Sequence, residues 1–158
     1  MDFSELEKKI SVKFKNKSLL REALTHRSYL NEAKNKNSSH NERLEYLGDA
    51  VLELVISGLL FHKYPSSDEG RLTSLRSALV NYQILAKVAQ KLSLGDFILL
   101  SKGEARDENP RAKEVILANA IEALIGAVYL DRGFDAAAKF IAKNVFVNLD
   151  AILKLQLY

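Results

Sequence analysis

The chain contains no cysteine, and this absence excludes disulfide bonds and thiolate metal sites. No apolar run reaches the roughly 18 residues that a membrane-spanning helix needs. The first five residues lack the basic and apolar regions of a signal peptide. A strongly basic tail is also missing, and the formal net charge is only +3. We therefore expect a cytoplasmic protein in which any polyanion-binding surface arises from local clustering of lysine and arginine.

A length of 158 residues and a hydrophobic content of 47% are those of one ordinary domain with a sizeable core. Apolar residues recur at helical spacing nearly throughout, and no segment shows convincing strand alternation. The sequence therefore predicts a single all-α domain over residues 1–158, with about seven to nine helices.

The first half of the chain predicts a long helix from about His40 to His62, which ends before Pro65 because proline cannot continue a helix. Ser66, Ser67 and Asp68 are candidate caps for the next helix, over about residues 70–80. Asn81 is a candidate cap for another.

In the second half, the polar stretches at residues 31–39 and 101–110 predict exposed loops. A strongly apolar helix is predicted from about Ala112 to Leu130, followed by Gly133 as a left-handed C-cap. Asp135 is predicted to cap one last helix.

Three carboxylates of the long helix form the first candidate site. At about 100° per residue, Glu42, Glu45 and Asp49 project within roughly 60° of one another, beside the apolar stripe of the helix. Like charges at the edge of a core are costly unless something neutralises them, and Mg²⁺ prefers such oxygen ligands. An ordinary solvated acidic face remains the alternative.

Asn119 and Glu122 are the two polar residues in an otherwise apolar or small stretch of the second long helix, and they share one face. If the two long helices pack together, Glu45, Asp49, Asn119 and Glu122 place four oxygen-bearing side chains at one point. Small residues on the second helix would allow a close approach: Ala118, Ala120, Ala123 and Gly126. The alternative is that both polar residues are core groups satisfied by hydrogen bonds.

The segment ERLEYLGDAVL at residues 42–52 resembles the signature motif of the ribonuclease III family. Further stretches agree with that family in order and spacing: ALTHRSY at 23–29, EGRLT at 69–73, LRSALVN at 75–81, SKGE at 101–104 and ANAIEALIGAVYLD at 118–131.

The resemblance implies an all-helical, homodimeric endonuclease domain that cuts double-stranded RNA to 5′-phosphate products with short 3′ overhangs. It also implies a role in RNA processing such as ribosomal RNA maturation. Mg²⁺ is the implied cofactor, with Mn²⁺ able to substitute. The implied metal ligands are Glu45, Asp49, Asn119 and Glu122, of which Asp49 and Glu122 are expected to be indispensable.

Glu42 and Glu69 match acidic positions that line the cleavage valley of the family, and we expect an accessory role for both. The resemblance also places Tyr46 where the family usually has a phenylalanine that packs into the partner subunit. Asn119 stands where the family often has aspartate, so weaker metal binding is expected because an amide oxygen carries no charge.

Basic residues near the acidic segments are candidate phosphate contacts, with ordinary surface charge as the alternative for each: Arg71, Arg76, Lys102, Arg106, Arg111 and Lys113. The three histidines (His26, His40 and His62) show no metal-ligand spacing and are left out of the catalytic set. His26, beside Thr25 and Arg27, is expected to have a structural or capping role.

Bacterial members of the family usually carry a double-stranded-RNA-binding domain after the nuclease domain, and no such sequence follows the last predicted helix. Lower substrate affinity is expected, with more dependence on magnesium and salt. Two alternatives in other classes remain: a non-catalytic, RNA-binding or ribosome-associated relative, which Asn119 alone supports, and a generic helical interaction module.

Overall fold

The computed structural model describes residues 2–32 and 39–155, in which helices are joined by turns and irregular segments and one isolated parallel bridge pairs Thr25 with Leu99. Its α-helices are α1 (Ser4–Ile10), α2 (Lys17–Ala23), α3 (Arg27–Glu32), α4 (Glu42–Lys63), α5 (Glu69–Val80), α6 (Tyr82–Lys91), α7 (Lys102–Arg106), α8 (Pro110–Arg132), α9 (Phe134–Asn144) and α10 (Leu149–Leu155). Two 3₁₀ turns lie at Leu94–Phe97 and Phe146–Asn148. The all-α prediction is confirmed, but ten α-helices in the described residues exceed the predicted seven to nine.

Helix boundaries follow the predicted caps in the first half of the chain. Helix α4 ends at Lys63, and Tyr64 leaves the helical region before Pro65. The Asp68 carboxylate accepts the Arg71 N–H at 2.9 Å and caps α5, while the Asn81 side chain accepts the Ile84 N–H at 3.0 Å and caps α6.

One predicted loop is wrong, because residues 101–110 contain helix α7. Ser101 Oγ accepts the Glu104 N–H at 3.1 Å, so a serine followed three residues later by a glutamate begins a helix despite the polar composition. The other predicted loop, residues 31–39, is wrong at its start, because Asn31 and Glu32 are the last two residues of α3, and its residues 33–38 lie outside the described residues.

The predicted single last helix is also wrong, because a 3₁₀ turn separates α9 from α10. The Asn144 and Asn148 side chains donate to backbone carbonyls three or four residues earlier, which competes with a regular helix. Asp135 lies in the first turn of α9 and is not its cap. Gly133, which ends α8, has φ 92° and ψ 174°, a glycine conformation outside the predicted left-handed region.

Helices α4 and α8 cross at the centre of the fold with their backbones in direct contact. A Cβ built on Gly48 of α4 would lie 1.6 Å from the carbonyl oxygen of Glu122 in α8. A Cβ on Gly126 of α8 would lie 2.4 Å from the carbonyl oxygen of Leu44 in α4. The close approach predicted for Gly126 is confirmed, and Gly48 is its counterpart. This crossing therefore determines how near the acidic side chains of the two helices come.

The N-terminus of α4 is tied to the segment that precedes α3. The buried Asn41 side chain donates to the Ala23 carbonyl at 3.1 Å, and its backbone N–H donates to the Thr25 carbonyl at 2.9 Å. On the other side of this segment, the His26 N–H donates to the Leu99 carbonyl at 3.0 Å. These bonds hold the start of α4 beside His26.

None of the helices in residues 2–32 and 39–155 is long and apolar enough to cross a membrane.

Candidate metal centre

An open cleft of about 660 Å³ lies beside the crossing of α4 and α8. Glu42, Glu45 and Asp49 line it from α4, while Asn119 and Glu122 line it from α8. Its remaining wall contains Tyr46, Val115 and Ile116 together with His26, Arg27 and Asn41. The structure thus brings together the five polar residues that the two long helices contributed to the sequence hypothesis.

Glu122 is the most strongly perturbed carboxyl group of the cleft. Burial comes first among the causes, followed by a side-chain hydrogen bond with Asp49 and by repulsion from Asp49 and Glu45, and together they raise the pKa of Glu122 to about 9. At neutral pH without a cation, the Glu122 carboxyl therefore holds a proton in the contact with Asp49. A buried carboxyl whose pKa is also raised by neighbouring carboxylates is in a position suited to a cation.

Glu45 shows the same effect in a weaker form. Its half-buried carboxyl has a raised pKa, first because of burial and then because of the charges of Glu42 and Asp49. Arg27 is the one arginine or lysine among the cleft-lining residues, and it lies 3.4 Å from Glu42 at the exposed rim. The inner carboxyls therefore have no basic side chain beside them in the cleft.

The donor set fits a hard divalent cation by its chemistry. Three carboxyls and the Asn119 amide are all oxygen ligands, the kind that Mg²⁺ takes while keeping several waters. Within residues 2–32 and 39–155, no group of three or more histidine, cysteine, aspartate or glutamate side chains is already arranged to hold a metal ion. The cleft therefore supplies suitable ligands that would have to draw together around the ion.

The other predicted site residues lie outside this cleft. Glu69 is exposed in the first turn of α5, and Arg71 lies in the same turn. Arg76 is held against α4, where its guanidinium contacts Glu53 Oε2 and Ser57 Oγ, each at 2.9 Å. Lys102 and Arg106 are exposed on α7. The accessory role of Glu69 and the phosphate contacts of these basic residues stay predictions.

Two further candidate phosphate contacts also lie outside the cleft. The Arg111 guanidinium lies 5.9 Å from the centre of the Tyr82 ring, and Lys113 lines a small apolar pocket of about 200 Å³ beside Ile116.

Three polar residues that line the cleft are absent from the site predicted from the sequence: His26, Arg27 and Asn41. Asn41 belongs to none of the motifs in the sequence, although its position next to the signature segment is a usable signal. His26 lacks metal-ligand spacing, yet it lines the cleft while its Nδ1 contacts Ser28 at the start of α3. Spacing within a single helix gives no information on His26, because this residue reaches the cleft from the segment that precedes α3.

Comparison with known proteins identifies the family of this chain. Residues 16–149 match the family model described as Ribonuclease-III-like. Proteins named ribonuclease 3 from Geobacillus kaustophilus and Bacillus velezensis are 48% and 49% identical to this chain over 148 residues. The alignments cover 94% of this chain but 60% and 59% of those proteins, so the chain spans about three fifths of the length of these relatives.

Solved structures show the same likeness. The nuclease domain of ribonuclease III from Campylobacter jejuni has a TM-score of 0.80 at 46% identity, covering 93% of this chain and 95% of that one. A second structure of that domain, described as showing flexibility in a region involved in dimer formation, has a TM-score of 0.77 at 48% identity and covers 90% of this chain and 98% of its own. Dicer from Pichia stipitis has a TM-score of 0.63 at 26% identity, covering 87% of this chain and 58% of that one. By its family model, its sequence identity and its fold, this chain belongs to the Ribonuclease-III-like family.

Proposed function

We propose that this chain is the endonuclease part of a metal-dependent enzyme that hydrolyses double-stranded RNA to 5′-phosphate products with short 3′ overhangs. The observation that carries the proposal is the convergence of Glu45, Asp49, Asn119 and Glu122 on one cleft, where burial and neighbouring carboxylates raise the pKa of Glu122. Membership of the family supports the choice of RNA as substrate. A role in ribosomal RNA maturation belongs to the same proposal.

In this proposal Glu45, Asp49, Asn119 and Glu122 hold Mg²⁺, with Mn²⁺ able to replace it. The bound ion would lower the pKa of a coordinated water and stabilise charge on the phosphate. Glu122 would lose its proton on becoming a ligand, so metal binding would release a proton and would strengthen as pH rises. Arg27 and Glu42 remain paired at the rim, where they border the entrance for the RNA strand.

The test is incubation of the purified protein with a long RNA duplex and MgCl₂, with a chelator and a DNA duplex of the same sequence as controls. The expected result is metal-dependent cleavage of the RNA duplex into fragments with 5′-phosphates. A folded protein that binds the duplex without cutting it at any Mg²⁺ or Mn²⁺ concentration would favour the non-catalytic alternative.

Replacing Asn119 with aspartate should strengthen metal binding. A fourth carboxylate adds a full negative charge to the donor set, and one ion contact at the protein surface contributes on the order of 1 kcal/mol or more. The Mg²⁺ concentration for half-maximal cleavage is expected to fall by about fivefold or more. Asn31→Asp, which adds the same charge on exposed α3, is the matched control and should leave this concentration unchanged.

An exposed apolar stripe on α4 supports the homodimer as part of the proposal. Tyr46, Leu54 and Phe61 are 82%, 62% and 65% exposed, and they lie within about 80° around the helix axis. Large apolar groups in one stripe are typical of a protein interface. Because Tyr46 also lines the acidic cleft, a partner seated on this stripe would lie beside the candidate metal centre.

Leu54→Asp is expected to convert the protein to a monomer, because it places a charge in the middle of the stripe. Sedimentation velocity at micromolar concentration measures the change. Val147→Asp is the matched control, since Val147 is also 62% exposed but lies on the 3₁₀ turn after α9. A Leu54→Asp protein that sediments as the wild type does would exclude this stripe as the interface.

A further inference from the structure

His26 lines the acidic cleft with one ring nitrogen already occupied. The Nδ1 atom lies 2.7 Å from Ser28 Oγ and 3.2 Å from the Ser28 backbone N–H, which donates to it. The Ser28 hydroxyl oxygen accepts the Ser101 N–H at 3.0 Å, so its own hydrogen is left for His26 Nδ1. Two donors therefore converge on Nδ1.

This arrangement determines the tautomer of the ring. A hydrogen on Nδ1 would face two donors, so Nδ1 is the acceptor and the proton of the neutral ring is on Nε2. Burial lowers the pKa of His26, which favours the same neutral form. Among the described residues, no acceptor takes the Nε2–H.

The position of the ring is as well defined as its tautomer. The backbone N–H of His26 donates to the Leu99 carbonyl at 3.0 Å, and the neighbouring Thr25 carbonyl accepts the Asn41 N–H. The His26 backbone is thereby held between the start of α4 and the segment that precedes α7, while the Ser28 contacts hold the ring. A rigid donor loses little conformational entropy when a ligand binds to it.

Neutral donors are few in this cleft. Its carboxylates only accept hydrogen bonds when ionised, one N–H of the Asn41 amide donates to the Ala23 carbonyl, and Arg27 contacts Glu42 at the exposed rim. The Asn119 amide and the Tyr46 hydroxyl are the other neutral side-chain donors among the lining residues. A phosphodiester, in contrast, offers acceptors only. An RNA strand entering this cleft therefore needs the few neutral donors that the walls provide.

We propose that His26 is a substrate-binding residue that donates its Nε2–H to a non-bridging phosphate oxygen of the RNA strand in the cleft, with Ser28 and Ser101 acting through it as positioning residues. The proposal deepens the proposed function, because it rests on RNA being bound at this site. It gives the histidine a role that needs neither metal binding nor proton transfer.

Two variants distinguish the role of His26 Nδ1 from that of His26 Nε2. In His26→Asn the amide oxygen replaces Nδ1 and keeps an acceptor for Ser28, but no donor remains at the position of Nε2. In His26→Gln the longer amide places an N–H near the position of Nε2 and gives up the Ser28 acceptor. The measurements are kcat and KM for RNA cleavage, duplex affinity in a chelator, and the melting temperature of each variant.

The expected result is that kcat/KM falls by about 10- to 100-fold in His26→Asn, the range for a lost hydrogen bond to a charged group, and that His26→Gln recovers most of it. Affinity for the duplex without metal should follow the same order. A purely structural role predicts the opposite order, since only the asparagine keeps the Ser28 contact. Near wild-type activity and affinity in His26→Asn, or equal losses in both variants, would overturn the proposal.

The affinity measurement tests the role of His26 independently of whether the protein hydrolyses RNA. If the wild-type protein binds duplex RNA without cutting it, the proposed hydrolysis fails while the order of the two variants in affinity still decides the role of His26. If the wild-type protein does not bind duplex RNA, both proposals are wrong.

Discussion

Replacing Glu122 with glutamine is expected to abolish RNA cleavage while making the metal-free protein more stable near pH 8. The loss of activity should be about 1000-fold or more, because metal-assisted stabilisation contributes several kcal/mol and each 1.36 kcal/mol is a factor of ten. The gain in stability has a separate origin, in the proton that Glu122 holds against Asp49.

The pH dependence follows from the direction of the pKa shift. The pKa of Glu122 rises from an ordinary 4.5 to about 9 in the folded protein, so between these values the folded state binds more protons than the unfolded state. The stability contributed by this protonated group is fully present below about pH 4.5 and is lost as pH rises towards 9. Glutamine carries no titratable proton, so the variant should lose this slope.

The size of the gain is expected to be about 1 to 2 kcal/mol at pH 8, after allowance for the solvent-exposed part of the side chain. For a domain of this size each kcal/mol raises the melting temperature by about 2 to 4 °C. Thermal unfolding in a chelator from pH 5 to 9 measures both the gain and the slope. Glu114→Gln is the matched control, because Glu114 is on the same helix but does not line the cleft.

Asp49→Asn should show the same pattern, because it removes the partner charge that raises the pKa of Glu122. Added Mg²⁺ should stabilise the wild-type protein and have little effect on either variant. A Glu122→Gln protein that still cuts RNA, or that is less stable than wild type at pH 8, would contradict the assignment of this carboxyl to the metal centre.

Gly48→Ala is expected to cause the largest loss of stability of any single methyl addition to α4. The new Cβ would lie 1.6 Å from the Glu122 carbonyl oxygen, a backbone atom that moves only if α8 moves. Overpacking of this kind costs about 3 kcal/mol or more. Because the same crossing holds Asp49 near Glu122, activity should fall even under conditions where the variant remains folded.

Gly58→Ala is the control on the same helix. A Cβ on Gly58 meets nothing within 4 Å, so the higher helix propensity of alanine should leave stability unchanged or raise it by about 0.5 to 1 kcal/mol. Chemical denaturation of both variants measures the difference. Similar unfolding free energies for Gly48→Ala and Gly58→Ala would show that the contact of the two backbones does not limit the packing.

Local sequence patterns predicted most of the helices and the faces on which the two long helices carry the residues of the candidate metal centre. The ends of α4 and α5, the caps at Asp68 and Asn81, and the shared face of Glu45 and Asp49 all depend on residues within one or two turns of each other. One prediction was wrong because the polar composition of residues 101–110 indicated a loop, although Ser101 caps a short helix there. Another was wrong where side chains compete with the backbone, as at Asn144.

The sequence by itself determined the helical class, the main helix boundaries, the acidic residues of the candidate centre and the resemblance to a nuclease family. These properties can be predicted from the sequence because they depend on residues that recur with the 3.6-residue period of a helix or that form contiguous motifs. The tertiary structure alone decided that the pKa of Glu122 is raised beside Asp49, that Gly48 is the counterpart of Gly126 where the helices touch, and that His26 lines the cleft. The physical reason is that burial, repulsion and hydrogen bonding between distant segments depend on distances that only the packed chain defines.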